Sequence, residues 1–257
     1  MLIGLRILLF LFVVFVLPAL LTLGWWVLQD RPNSWRSADW SASGVLPVAK
    51  EAGDAAIYVM AARTGGLKGA FAVHSWIVLK EKGNAPYVRY DKVGWGSPIR
   101  RNAHAADGRW YSNEPVIVHV VTGERAERLI PVVEQAIRDY PYSRSGDYRI
   151  WPGPNSNSFV AHVVRAVPEL GARMPPNALG RDFAEGVASL WWDSRNWDFH
   201  ATLHGLAGFS VGWTSGIELH FIGLVAGLDF ARPAILVPGF GRVELWPSRE
   251  TAADGVA

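Results

Sequence analysis

Two short stretches of this chain carry side chains that could do chemistry. In Val73-His74-Ser75-Trp76-Ile77-Val78-Leu79 an imidazole sits in an alternating, β-branched run, so a strand would hold it rigidly where it can serve as a general base. In Gly153-Pro154-Asn155-Ser156-Asn157-Ser158-Phe159 the hydroxyl of Ser156 opens a helical pattern that buries Phe159, Val160, Val163 and Val164 on one face. A helix N-terminus presents unpaired N–H groups and a partial positive charge, which would favour ionisation of a nucleophile and hold an oxyanion. Asn and Ser are also among the best helix caps, so Asn155-Ser156-Asn157 taken alone reads first as a cap. To act as a nucleophile, Ser156 would need His74 within hydrogen-bond reach and a third group to orient the imidazole.

Other chemistries are bounded by composition. The chain has no Cys, which removes disulfides, thiolate metal sites and thiol nucleophiles. His200-x-x-x-His204, with Asp198 and His220 nearby, would share a helix face and could bind a metal. Position 201 is Ala where a zinc peptidase motif has its Glu, so packing or interfacial histidines are the stronger expectation and no metal is assigned. His104, His119 and His162 show no partner pattern, and nothing implies a cofactor. A net charge of +2 with pI ≈ 9.0 is far from the clustered basic surface of a nucleic-acid binder.

The N-terminus predicts a membrane. From Ile7 to Leu28 no side chain is ionised, and at about 1.5 Å per residue such a helix spans a bilayer. Trp25, Trp26, Trp35 and Trp40 follow it, as at a membrane–water interface. The run exceeds a signal h-region of about 7–15 residues and lacks a clear Ala-x-Ala site, so a retained single-pass signal-anchor over 1–30 is expected. Arg6 on one side against Asp30, Arg31 and Arg36 on the other specifies orientation weakly. The expectation is the inner membrane with the main domain outside the cytoplasm.

The elements that must position the chemistry follow. Residues 31–53 read as an interfacial linker, then strands are expected at 56–63, 70–80, 87–93 and 116–121. A helix is expected over 124–140, kinked or started late by Pro131, and a second over 157–167. The apolar region 203–245 resembles another span, but Glu218, His220, Asp229 and Arg232 interrupt it, and unpaired charges in hydrocarbon are costly. It reads as a Gly-rich β segment, with membrane contact as the minority reading. The chain is expected to be α+β: the anchor, one domain over 54–247 with an antiparallel sheet and two main helices, and a disordered tail at 248–257.

Several motifs together resemble a known family. His74-Ser75-Trp76-Ile77, Tyr90-Asp91-x-x-Gly94-Trp95-Gly96, Tyr140-Pro141-Tyr142, Gly153 to Ala161, Pro175-Pro176-Asn177-Ala178 and the stretch 233–241 are similar to domain of unknown function 3750, an uncharacterised bacterial membrane-protein family. More distantly, a strand histidine followed by an Asn-(Cys)-Asn helix start is similar to permuted papain-like proteins: NlpC-type peptidases, lecithin-retinol acyltransferase-like proteins and PPPDE peptidases. That resemblance implies His74 as base and Ser156 at the position of the cysteine. It also implies an orienting residue on the next strand, where Tyr87, Arg89, Tyr90 and Asp91 are candidates and Asp91 is the best chemical choice. Trp76, Asn155 and Asn157, which flank the pair, would contact substrate. The expected function is a membrane-anchored envelope hydrolase or acyltransferase acting on amide or ester bonds, with peptidoglycan or lipid as substrate. The alternative is an inactive papain-like protein that binds peptide or lipid.

Overall fold

The structure, a computed structural model, describes residues 2–184, 186–194 and 197–246. The expected disordered tail at 248–257 lies outside the described residues. The fold is α+β: one N-terminal apolar helix followed by helices and two antiparallel sheets. Helix α1 spans Leu2–Val27, with a π-helical turn at Phe12–Val16. Among the described residues it is the one helix long and apolar enough to cross a membrane. Phe15, Thr22 and Trp26 are its buried positions.

The first sheet has five strands in the order β4-β3-β2-β1-β5. These are β1 (Ala56–Arg63), β2 (Val73–Lys80), β3 (Tyr87–Lys92), β4 (Ile99–Arg101) and β5 (Val116–Thr122). Strands β1 and β2 are buried nearly throughout because both faces of the sheet are covered. On one face Ile57, Val59, Ile77 and Leu79 pack against helices α2 (Gly123–Arg138) and α3 (Ser156–Ala166). On the other, Tyr58, Met60, Trp76 and Val78 pack with Leu46, Trp110 and Trp40. The segment expected to be a linker therefore lies on the sheet over part of its length: Ala42 bridges Gly108, and Arg109 N donates to Ser41 O at 2.9 Å.

Helix α2 begins at Gly123, earlier than expected, and runs through Pro131. The proline faces solvent, so the carbonyl that loses its N–H partner can be hydrated. Helix α3 opens on Asn155, whose side chain accepts from Asn157 N and Ser158 N while Ser158 Oγ accepts from Asn155 N. This reciprocal box satisfies donors that a helix start leaves unpaired.

The second sheet is an antiparallel meander in sequence order. It comprises β6 (Ser189–Asp193), β7 (Asp198–Leu203), β8 (Ala207–Gly212), β9 (Gly216–Phe221), β10 (Leu224–Asp229), β11 (Ala234–Val237) and β12 (Gly241–Glu244). The region that resembles a second span by composition is thus built from short strands. At the β11–β12 turn Gly239 has φ +79, and a Cβ there would sit 2.2 Å from Thr22 Oγ1. Only glycine allows that turn to approach α1 so closely.

Candidate functional site

His74 is the second residue of β2, and its neighbours come from three elements. Its Nε2 lies 2.8 Å from Asp91 Oδ1 on β3. Asp91 in turn accepts from Arg89 Nε at 2.7 Å and Nη2 at 2.9 Å. The imidazole stacks on Trp110 at 3.6 Å with an interplanar angle of 4°, and the Arg89 guanidinium lies 4.0 Å over Trp76. All of these side chains are buried. Burial works to raise the Asp91 pKa, but the hydrogen bond with His74 and the Arg89 charge outweigh it and hold the carboxyl well below its usual range. Burial lowers the His74 pKa, and the Asp91 contact only partly opposes that. An ionised Asp91 can only accept, so a neutral His74 donates from Nε2 and keeps its lone pair on Nδ1.

Ser156 is placed elsewhere. It is the first residue of α3, is buried, and belongs to the helix on the opposite face of the sheet from the Trp76–Trp110 cluster that holds His74. Strand alternation makes the division: Ile77 and Leu79 face the helices, while His74, Trp76 and Val78 face the aromatic cluster. The phenol of Tyr148 lies beside Ser156; burial raises its pKa, and the Ser156 hydroxyl and amide pull it back. Lys92 Nζ is 5.9 Å from the Tyr148 ring centre and donates to Tyr142 O at 2.5 Å. No hydrogen bond joins His74 to Ser156 among the described residues. The structure brings Asp91 to His74, and brings Tyr148 rather than His74 to Ser156.

The residues expected to contact substrate are engaged within the protein. Trp76 is buried and donates from Nε1 to Ala106 O at 2.9 Å. Asn155 caps α3 and also donates from Nδ2 to Ile150 O and Leu179 O, both at 3.0 Å. Asn157 Nδ2 ties the helix start to β2 through Val73 O at 2.9 Å. The helix-face reading of His200 and His204 is corrected: Asp198–Leu203 is strand β7, not a helix. His200 stacks on Trp191 at 4.8 Å and pairs with Ser210, whereas His204 lies in the following turn against Gly186 O.

A third group of polar residues brings together His200, Glu218, His220 and Asp229, which the sequence marks as metal candidates and as breaks in an apolar run but not as one site. One cross-strand row of the second sheet runs Trp191, His200, Ser210, Glu218, Gly227, Leu236, Arg242. Its Trp191, His200, Glu218, Leu236 and Arg242 line a cleft of about 910 Å³, to which Val118, Ala161, Arg165 and Met174 also contribute. Arg181 ion-pairs with Glu218 and donates to Met174 O at 2.8 Å. His220 Nε2 lies 3.2 Å from Glu218, and Asp229 pairs with Arg173 and Arg242, each at 3.3 Å. Five arginines and seven carboxylates line this cleft, so its charge is nearly balanced rather than of one sign. Neither His74 nor Ser156 lines it. The sequence signal was the alternation of Glu218 and His220 with Ile217, Leu219 and Phe221.

Neither a curated protein nor a solved structure matches the chain. Residues 54–183, which hold both the His74–Asp91 pair and Ser156 with Tyr148, match the family described as protein of unknown function (DUF3750); that is just over half of the sequence, and the chain belongs to this family.

Proposed function

We propose that the chain is a membrane-anchored envelope protein that binds, rather than cleaves, a phospholipid through its head group. The observation that carries this reading is the cleft of about 910 Å³ with its Arg173–Asp229 and Arg181–Glu218 pairs and the Trp191–His200 stack. A space of this size suits a small-molecule ligand or a lipid head group. A nearly balanced wall favours a ligand that carries both signs, such as the phosphate and amine of phosphatidylethanolamine, over a simple anion. This reading places the anchor in the inner membrane with the main domain outside the cytoplasm; the apolar helix Leu2–Val27 supports the anchor itself. Native mass spectrometry of the full chain, taken from membranes in mild detergent, tests the binding. Retained phosphatidylethanolamine that is lost in Arg165→Gln supports it. A lipid-free wild-type chain, a retained peptide, or a variant that keeps its lipid counts against it.

A second reading, a hydrolase or acyltransferase of amide or ester bonds in peptidoglycan or lipid, is favoured by the His74–Asp91 contact at 2.8 Å. In it Ser156 attacks the carbonyl and N–H groups at the start of α3 hold the oxyanion; His74 lies on the opposite face of the first sheet, so passing the proton between the two requires a rearrangement that brings them together. Labelling of Ser156 by a fluorophosphonate in the wild-type chain, abolished in His74→Gln, supports this reading. An unlabelled, folded wild type removes it.

A further inference from the structure

The second sheet is inverted relative to the sheet of a soluble protein. One residue along from the polar row lies a second row, Trp192, Phe199, Val211, Ile217, Leu228, Ile235, Val243, paired strand to strand across all seven strands. Every member is apolar. All except the half-buried Phe199 are 40–54 % exposed; only Trp192, on the edge strand β6, also borders the cleft, which the polar row faces. Neighbouring positions on the same face repeat the pattern, with Leu190 opposite Ala201, and Phe209 opposite both Ala201 and Leu219. An antiparallel sheet with one wet face normally turns its apolar side to the core. Here charged residues take the protein side and the apolar side is bare.

The size of this face is significant. Seven strands about 4.8 Å apart and about 17 Å long present roughly 500 Å². That is at the upper end of what a soluble monomer leaves uncovered, and such patches mark interaction surfaces. What covers it is indicated by the helix beside it. The Phe15 ring of α1 lies 5.5 Å from Phe221 at the end of β9, and Thr22 sits against Gly239 in the β11–β12 turn. The outer face is therefore continuous with the surface of the one described helix apolar enough to cross a membrane, and a bilayer that takes up α1 has this face as its neighbour. Trp213 and Trp246, 74 % and 70 % exposed, lie beyond the ends of strands, where indole rings suit a membrane–water interface.

We propose that the outer face of the β6–β12 sheet lies against the lipid of the same bilayer that holds α1. The sheet meets the membrane by its face and does not cross it. Its outermost strands β6 and β12 leave open backbone edges, which hydrocarbon does not tolerate, and its inner face carries charges that need water or partners. The proposal concerns the outer face alone and stands whether or not the cleft binds lipid.

The absence of cysteine makes the test direct. Single variants Ile217→Cys and Leu228→Cys, with Val132→Cys on exposed α2 as reference, are spin-labelled in the full chain. Each is then placed in vesicles of phosphatidylethanolamine and phosphatidylglycerol. All three side chains are exposed, so the substitutions leave the core intact. Collision with apolar oxygen is expected to exceed collision with a water-soluble nickel chelate several-fold at 217 and 228, and the order is expected to reverse at 132. Labels at 217 and 228 that meet the nickel chelate as freely as 132 overturn the proposal. Labels shielded from both reagents, as under a second copy or a protein partner, overturn it equally.

Discussion

Asp91 joins two buried basic groups, taking hydrogen bonds from His74 and twice from Arg89. Removing one partner of a buried ion pair leaves the other charge unsolvated, which costs about 3–5 kcal/mol. Asp91→Ala is therefore expected to destabilise the fold by that order, measured by urea unfolding of the detergent-solubilised chain, and a loss under about 1 kcal/mol would show that water reaches Arg89. At the start of α3 the expectation separates two neighbours. Asn155→Ala loses a cap worth about 1–2 kcal/mol, whereas Ser156→Ala takes one of two hydrogen-bond partners from the buried Tyr148 phenol, leaving the amide, and is expected to cost about 1 kcal/mol with lipid retention near wild type. Chemical type made His74, Asp91 and Ser156 visible in the sequence. Their grouping was not visible, because Trp110 and Tyr148 reach them only through the tertiary fold and because alternation along β2 decides which face His74 takes.

Strand β2 and the segment that covers it also carry a pH dependence. Burial lowers the pKa of His74 and of His104, which stacks on Trp40 over the same cluster. Their unfolded forms take up protons near the ordinary value of 6.5 while the folded forms resist. Stability is thus fully present above that pH and is lost as pH falls below it, with Asp91 adding its own loss only in stronger acid. The melting temperature is expected to fall between about pH 7.5 and about pH 5, and His74→Phe is expected to flatten that slope. A slope unchanged in the variant would assign the effect to other groups. At this scale the sequence was most legible where long patterns had one meaning, as in β1, β2 and α3. It misled at His200 and His204, since a four-residue spacing suits a helix face. The true signal there was the alternation of Asp198, His200 and Thr202 with Phe199, Ala201 and Leu203.

For the whole molecule, the period-two pattern after residue 189 announces strands but not which side is buried. The usual rule puts the apolar side inward. In this chain the polar side closes the cleft, and only the three-dimensional relation of the sheet to α1 and α3 reveals the inversion. Membrane association is then expected from two features rather than one. An Ile217→Asp, Leu228→Asp double variant should remain anchored by α1 yet expose the second sheet to limited proteolysis in vesicles that protect it in wild type; equal protection would argue against lipid contact. The most direct measurement is an electron cryomicroscopy structure of the full chain in a lipid nanodisc. The expected result is a lipid belt against Val211, Ile217 and Leu228, with an ordered head group between Arg173 and Arg181. A second sheet standing clear of the belt, with its apolar row in water or against another chain and an empty cleft, would contradict both.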